Sequence, residues 1–293
     1  MDNYGLISKI QRFSLGDGPG IRSTVFTQGC NMRCPWCHNP ETIPKDGVVL
    51  LYENLCGKCG TCKKACLEQI MENCRISDRK KCTLCGRCET VCPNGAIVVS
   101  GKRMSMEDVF DYIAEDMPYY TESGGGITVS GGEPLLQADF CAALAEKCST
   151  NGINVIIDTA GNVPFSSFES LIPFTNCFYF DIKTDIAGYV KIYGNKKIIN
   201  DNLVRLSGLC DVVVRIPVIP GFNDQDSVME AISNELSGIK IKEVHLLPFH
   251  RLASGKYRAL ELKYVFAETE PCTDIDKIKK IFVQKQIKCE EEG

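Results

Sequence analysis

From residue 105 onward the hydrophobic positions switch repeatedly between two periods. Short apolar runs fall at Ile127-Thr128-Val129, Asn154-Val155-Ile156-Ile157-Asp158, Cys177-Phe178-Tyr179-Phe180-Asp181-Ile182-Lys183, Asp211-Val212-Val213-Val214-Arg215-Ile216-Pro217 and Glu243-Val244-His245-Leu246-Leu247-Pro248. They are short, rich in β-branched and aromatic residues, and read as strands. Their near-continuous apolar character is that of strands buried on both faces. Between them the apolar positions recur every four residues, as in Val109, Ile113 and Met117 within 105–118, and Leu136, Phe140 and Leu144 within 135–149. Ser105, standing before Glu107 and Asp108, is the expected N-cap of the first of these helices. Further helical segments are expected near 198–208, 224–237 and 273–287. Upstream, Ile21–Thr27 is one more strand, and residues 4–13 alternate loosely enough for a short edge strand. The chain thus carries six βα units. The expected fold is α/β, a partial (β/α)6 TIM-like barrel of parallel strands with helices outside. A doubly wound sheet is the alternative, because periodicity alone does not exclude it.

The alternation is interrupted between residues 51 and 97, where cysteine and glycine replace the apolar periods. The expected organisation is therefore a barrel from 1–50 and 98–293 with a small insertion at 51–97. At 293 residues the chain can bury a full core. A net charge of −4 argues against a broad basic surface for nucleic acid. No stretch approaches the roughly 18 apolar residues of a membrane span, and Met1–Phe13 lacks the apolar run of a signal peptide. The expectation is a soluble cytoplasmic protein with no nucleic-acid or membrane partner and a monomer by default.

Eighteen cysteines in a chain without a secretory signal suggest metal rather than disulfides. Eleven of them fall into three ordered runs within residues 30–92. The first is Cys30, Cys34 and Cys37, spaced C-x3-C-x2-C on the loop that leaves the Ile21–Thr27 strand. Three thiolates can hold three irons of a [4Fe-4S] cluster and leave the fourth open to a non-protein ligand, which marks a reactive site. The second run is Cys56, Cys59, Cys62 and Cys66, and the third is Cys82, Cys85, Cys88 and Cys92 followed by Pro93. Both follow C-x2-C-x2-C-x3-C, the two-cluster ferredoxin pattern, in which the fourth cysteine of each run crosses to the other cluster. Cys56, Cys59, Cys62 and Cys92 are then one ligand set, and Cys82, Cys85, Cys88 and Cys66 the other. Zinc knuckles are the competing reading, but zinc sites pair one C-x2-C with another and close all four positions. Cys74, Cys141, Cys148, Cys177, Cys210, Cys272 and Cys289 are scattered and read as buried small apolar residues, with Cys74 a spare thiol between the two runs. Reduced clusters point to an anaerobic cell.

Polar residues close the strands: Asp158 and Thr159, Asp181 and Lys183, Arg215, and His250 after the sixth. Taken singly each has a structural reading, as a cap, a solvated end or a surface histidine. Together they mark the carboxyl ends of the strands, where barrel active sites lie. Gly131-Gly132-Glu133 ends another strand in a glycine turn. No Gly-Lys-Ser/Thr follows it, so a phosphate-binding Walker loop is not supported. The carboxylate of Glu133 is suited to accept from an amino group, and the glycines permit close approach.

The chain resembles the glycyl radical enzyme activating enzymes, radical S-adenosylmethionine (SAM) proteins that include the pyruvate formate-lyase activator. The resemblance spans nearly the whole length. It rests on Asp17-Gly18-Pro19-Gly20-Ile21-Arg22, the cysteine loop with Trp36, His38 and Asn39, and Ser130-Gly131-Gly132-Glu133-Pro134. It rests also on Asp158-Thr159, Asp181-Ile182-Lys183, Arg215-Ile216-Pro217-Val218-Ile219-Pro220-Gly221 and Leu246-Leu247-Pro248-Phe249-His250. It implies reductive cleavage of SAM to methionine and a 5′-deoxyadenosyl radical, which takes hydrogen from one glycine Cα of a partner enzyme. It implies three [4Fe-4S] clusters, one binding SAM and two auxiliary, with a flavodoxin or ferredoxin as electron donor. Cys30, Cys34 and Cys37 would ligate the catalytic cluster, with Asp17 and Lys183 in the catalytic set. Trp36 and His38 would line the adenosine side, and Gly131, Gly132 and Glu133 would hold the amino group. Asp181, Ile182, Lys183, Arg215 and His250 would meet the carboxylate or ribose side. Asp17, Asp158 and Thr159 would lie near the target loop or a monovalent cation. Ala160 stands where the pyruvate formate-lyase activator has asparagine, so that amide contact is missing. That activator also lacks the insertion, which makes pyruvate formate-lyase a poor expectation for the partner. A radical SAM enzyme acting on a small molecule, and an iron–sulfur electron carrier, are the rival functions.

Overall fold

The computed structural model describes residues 3–271 and 274–291, so Cys272 lies outside the described residues. The first strand, β1 (Tyr4–Ser14), is followed by β2 (Arg22–Thr27), β3 (Val48–Leu51), the short helices α1 (Thr61–Ala65) and α2 (Arg87–Thr90), β4 (Ile97–Ser100) and β5 (Lys102–Ser105). Helices α3 (Met106–Ala114) and α4 (Met117–Ser123) lead to β6 (Gly126–Gly131), α5 (Ala138–Thr150), β7 (Asn154–Thr159), α6 (Ser166–Glu169) and β8 (Cys177–Asp181). The chain ends with α7 (Ile186–Lys191), α8 (Lys196–Ser207), β9 (Val212–Val218), α9 (Asp226–Leu236), β10 (Glu243–Pro248), α10 (Ser254–Ala259), α11 (Ile275–Gln284) and β11 (Cys289–Glu291).

One nine-stranded sheet runs in the order β11-β10-β9-β8-β7-β6-β2-β1-β5. From β2 through β6 to β11 every neighbouring pair is parallel, and from β6 to β11 the order is consecutive. A doubly wound sheet reverses its order at a switch point; this one does not. The structure adds β11 as a seventh parallel strand beyond the six expected, on the far side of β10. At the other end β1 is not an edge strand as expected. It pairs antiparallel with β2 on one side and with β5 on the other, and β5 is the edge.

The helix expected over 105–118 is two helices. Ser105 caps α3, its hydroxyl accepting from the Asp108 amide, and the chain turns at Glu115–Asp116 before Pro118 opens the first turn of α4. Proline is tolerated there because a first-turn N–H has no intrahelical acceptor.

The strands are buried on both faces, but only one face is uniformly apolar. Val25, Val129, Ile157, Phe178, Phe180, Val214, Ile216 and Leu246 belong to the main core. Alternate positions carry Arg22, Thr24, Thr128, Asp158 and Arg215, all but Asp158 under a tenth exposed, around a small separate cluster of Ile156, Tyr179 and Val213. Period-two alternation places these two sets on opposite faces.

Residues 52–96 pair with neither sheet, and the antiparallel ribbon β3–β4 forms a sheet of its own at their base. They have their own core of Val49, Leu51, Cys62, Ile70, Met71, Cys74, Ile76, Ala96, Ile97 and Val99, against which Cys56, Cys66, Cys82, Cys88 and Cys92 pack.

Candidate active site

The cysteine loop leaves the carboxyl end of β2 and is tied down along its length. Gly29 N donates to Thr42 O (2.7 Å) and Gly29 O accepts from Glu133 N (2.8 Å). Buried Gln28 spans the loop, its Nε2 donating to Glu41 O (2.8 Å) and Pro44 O (2.6 Å). Asn31 Nδ2 reaches Asn162 O (2.6 Å), and Arg33 N reaches Ile192 O (3.0 Å). The loop therefore presents Cys30, Cys34 and Cys37 from a fixed backbone. All three are partly buried free thiols. Burial pushes the Cys34 thiol up to about 11 and Cys37 to about 12, so their ionisation needs a cation or metal to replace water.

The glycines of Gly131-Gly132 serve the loop before any ligand. A Cβ on Gly132 would stand 2.1 Å from Gly29 O, and one on Gly131, at φ +119°, would stand 2.3 Å from Thr27 N. Glu133 is buried, and its carboxylate accepts from Thr159 Oγ1 (2.7 Å), Ala160 N (3.0 Å) and Leu135 N (3.2 Å). Burial raises its pKa against those donors. It joins the ends of β6 and β7 across the site.

Next along the strand ends, Lys183 Nζ lies 2.6 Å from Asp181 Oδ2. Burial pulls the Lys183 ammonium down, but Asp181, Cys34 and Tyr189 together carry the net direction up. Asp158 accepts from Ser130 Oγ at 2.6 Å and stands 3.8 Å from Arg215 Nη1. Burial, then the charge of Asp181, raises Asp158 well above the usual carboxylate range. The Arg215 guanidinium also lies 5.2 Å from the Tyr179 ring centre. His38 stacks on His250 with ring centres 4.0 Å apart. Trp36 is buried against Phe222, at 4.5 Å, and Phe266. Two buried polar atoms in this group, His38 Nε2 and Asp158 Oδ1, have no hydrogen-bond partner. Buried polar atoms are normally satisfied, so these two fit a polar ligand seated beside the cysteines.

Two expected residues stand differently. Ile182 is 1 % exposed within the main core, and its N donates to Arg215 O (2.9 Å), so its contribution is to strand pairing. Asp17 lies before β2, at the opposite end of that strand from the cysteines, where it accepts from Ser14 Oγ and from Thr24 Oγ1 (2.6 Å). The structure joins it to the inner face of β2 through Thr24.

One residue was not legible at all. Lys256 of α10 places Nζ 2.6 Å from both Asn39 Oδ1 and Glu41 Oε1, and Tyr257 OH donates to Pro35 O at 3.3 Å. The other side of α10 packs Ala259 and Leu260 against Leu50 of β3, and Arg79 bridges to Glu261 at 2.9 Å. This helix thus holds the cysteine loop and the insertion at once.

The insertion contains two cavities lined by cysteine. One, of about 240 Å³, is lined by Cys56, Cys59, Cys62 and Cys92, with Cys74, Asn73 and Asn94. The other, of about 30 Å³, is lined by Cys66, Cys82, Cys85 and Cys88 among Ile70, Met71 and Leu84. Each cavity is thus lined by three cysteines of one run and the last cysteine of the other. Of the scattered cysteines, Cys74, Cys141, Cys148 and Cys289 are buried as expected, whereas Cys177 and Cys210 are only half-buried because they stand at the amino-end margin of β8 and β9.

A parallel sheet thus ends in a three-cysteine loop ringed by partly buried charged side chains. A family profile described as "4Fe-4S single cluster domain" matches residues 16–170. The chain is 40% identical over 276 residues to the (2S)-3-sulfopropanediol dehydratase activating enzyme of Klebsiella oxytoca, covering 89% of this chain and 86% of that protein. It is 37% identical to the benzylsuccinate synthase activating enzyme of Thauera aromatica, covering 87% and 81%. It is 35% identical to the trans-4-hydroxy-L-proline dehydratase activating enzyme of Clostridioides difficile, covering 94% and 95%. A radical SAM methyltransferase from Sphaerobacter thermophilus shares the fold at 15% identity and a TM-score of 0.51, covering 72% of this chain and 61% of that one. The chain belongs to the glycyl radical enzyme activating enzymes. Among the described residues, no helix is long and apolar enough to cross a membrane.

Proposed function

We propose that this chain installs a glycyl radical in one partner enzyme using three [4Fe-4S] clusters, within an open (β/α)6-type barrel, residues 1–50 and 98–293, that carries a ferredoxin-like insertion at 51–97. The observation that carries the reading is the separation of eleven cysteines into three groups: one loop of three beside unpartnered buried polar atoms, and two cavities lined by four ligand cysteines each. When bound, the loop cluster and SAM would supply, on one-electron reduction, methionine and a deoxyadenosyl radical able to take hydrogen from a glycine Cα.

The chain's own part is to hold and exclude. Cys30, Cys34 and Cys37 would take three irons. The backbone of Gly131 and Gly132, with the remaining acceptor capacity of Glu133, would hold SAM's amino group. Lys183, Arg215 and His250, with Asp181, would meet its carboxylate or ribose. His38, through its free buried Nε2, would meet the adenosine side over the wall made by Trp36. Asp158 and Thr159 would sit by a monovalent cation or the incoming glycine loop, with Asp17 deeper on the same face. The auxiliary clusters would relay electrons from a flavodoxin or ferredoxin to a monomeric enzyme.

The partner would be a glycyl radical enzyme of the kinds named for the relatives. The test is anaerobic. Reconstituted, reduced protein is mixed with SAM and a panel of such enzymes, each with its glycine. A glycyl doublet in the electron paramagnetic resonance (EPR) spectrum, with deoxyadenosine in step, is expected with one of them. Deoxyadenosine without any doublet would favour a small-molecule substrate. None at all, from protein holding every cluster, would leave only electron carriage.

A further inference from the structure

At their carboxyl ends β8 and β9 pair Asp181 with Arg215, and Ile182 N donates to Arg215 O (2.9 Å). Pro217 has no N–H with which to carry the pairing further. Beyond that point two carbonyls, one from each strand end, converge on a single side chain. Asn223 Nδ2 donates to Lys183 O (2.8 Å) and to Pro217 O (2.6 Å), and its Oδ1 accepts from Ile219 N (2.7 Å). A carboxamide offers two donors on one side and an acceptor on the other, and this one uses both kinds. Asn223 is 0 % exposed, and its own N donates to Ile219 O (3.2 Å), which closes the turn after β9. Its neighbour in that turn, Phe222, packs on Trp36 of the cysteine loop.

Lys183 is therefore anchored on both sides. Its N donates to the hydroxyl of buried Tyr189 (2.9 Å), and its carbonyl is held by Asn223. Its side chain leaves this fixed backbone towards Asp181, at 2.6 Å. The amide that ties the two strand ends thus governs how the Lys183 ammonium stands relative to Arg215. We propose that Asn223 is a positioning residue of the SAM site: its carboxamide locks the ends of β8 and β9 together and so aims Lys183 at the SAM carboxylate or ribose. The inference rests on the SAM-site reading above. Asn223 acts through Lys183 and has no contact of its own with the ligand. Truncating it leaves two buried carbonyls without these donors, which favours a shift of the strand ends towards other partners. A charged group must be held closely in place to bind well, so SAM affinity is where the loss should be read.

The experiment uses the full chain, reconstituted anaerobically and left unreduced so that SAM binds without cleavage. Equilibrium dialysis with labelled SAM gives the Kd, alongside iron content and the urea midpoint. Asn223→Ala is made in the unchanged protein and in Lys183→Gln, which keeps a neutral donor at that place. Expected is intact iron content with Kd raised about tenfold by Asn223→Ala, as for groups that share one network. In the Lys183→Gln background the same substitution should change Kd by less than about twofold. Should Asn223→Ala lose iron, Asn223→Asp takes its place in both backgrounds, since it keeps the shape and the acceptor for Ile219 N and loses only the two donors. An unchanged Kd overturns the inference. So does an equal loss of affinity in both backgrounds, which would show that Asn223 acts without Lys183. Loss of iron from both Asn223 variants also overturns it, in favour of a role in the fold at large. Unchanged protein that holds its iron yet binds no SAM would overturn the SAM-site reading itself, before any variant is measured.

Discussion

Removing the Lys256 ammonium tests whether α10 holds the cysteine loop. In Lys256→Met the aliphatic bulk remains, but Glu41 loses the ammonium that contacts its Oε1. The Glu41 side chain is 5 % exposed, its Oε1 contact at 2.6 Å disappears, and its Oε2 already has no partner. Breaking a buried pair from one side costs about 3–5 kcal/mol. The Lys256 side chain is 24 % exposed, so solvent screening brings the expectation to about 2–3 kcal/mol. For a chain of this size each kcal/mol moves the thermal midpoint by about 2–4 °C, which gives a fall of about 4–12 °C. The double variant Lys256→Met, Glu41→Gln removes both charges and should regain at least half of the loss. The assay is thermal unfolding of anaerobically reconstituted protein, with the rate of iron loss to a chelator as a second readout. Iron should leave faster in the single variant, because Asn39 and Glu41 closely follow Cys37 in the chain. A double variant as unstable as the single one would refute a charge-based clamp.

The crossed ligand sets predict a pattern of iron loss: Cys66→Ser combined with Cys82→Ser should cost no more iron than either alone, about four per chain, whereas Cys66→Ser with Cys56→Ser should cost about eight. Equal losses in both pairs would reject the crossing. Asp158 is a buried acid whose pKa is raised in the folded state, so the fold binds more protons than the unfolded chain and loses stability as pH rises above about 4. Ligand-free Asp158→Asn should therefore be more stable than the parent at pH 8, with the gap closing towards pH 5 in denaturant titrations; a gap that widens on acidification contradicts this. Asp116 has the opposite sign. Its pKa is lowered, first by the hydrogen bond from Arg12 (Nε to Oδ2, 2.7 Å) and further by Ser23. Its stabilisation is present above the unfolded value near 4 and is lost as pH falls through the lower folded value. Asp116→Asn should accordingly destabilise the protein at pH 7 and progressively less below pH 4, as read by the urea midpoint.

Legibility in the sequence followed the range of the forces involved. β2 and β6 to β10 were visible because each buries a run long enough to show its period. β5 and β11 were not, since Lys102–Ser105 and Cys289–Glu291 are too short to carry a period and are strands only through their partners. Apolar runs suggested strands with two equivalent faces, yet Arg22 and Arg215 are buried on one of them, paid for by hydrogen bonds and charges from distant strands. The three cysteine runs were legible because their spacing is local. Lys256 was not, for it meets Glu41 across 215 positions of chain. The role given to Gly131 and Gly132 also shifted: the close approach they permit is first to Thr27 and Gly29. Cys74 read as spare because spacing cannot reveal which thiol a turn folds back into a cavity.

The ribbon β3–β4 sets Leu51 opposite Ile97, so everything between them departs and returns through one doorway. No hydrogen bond of the nine-stranded sheet spans that doorway. The ribbon works as a socket: a cartridge can be longer, shorter or replaced by a two-residue turn, and the strands that carry the chemistry keep their register. The residues between β3 and β4 can therefore be altered in such a chain without redrawing the three-cysteine loop. What the exchange must preserve is the seat on α10, where socket and cysteine loop share a wall.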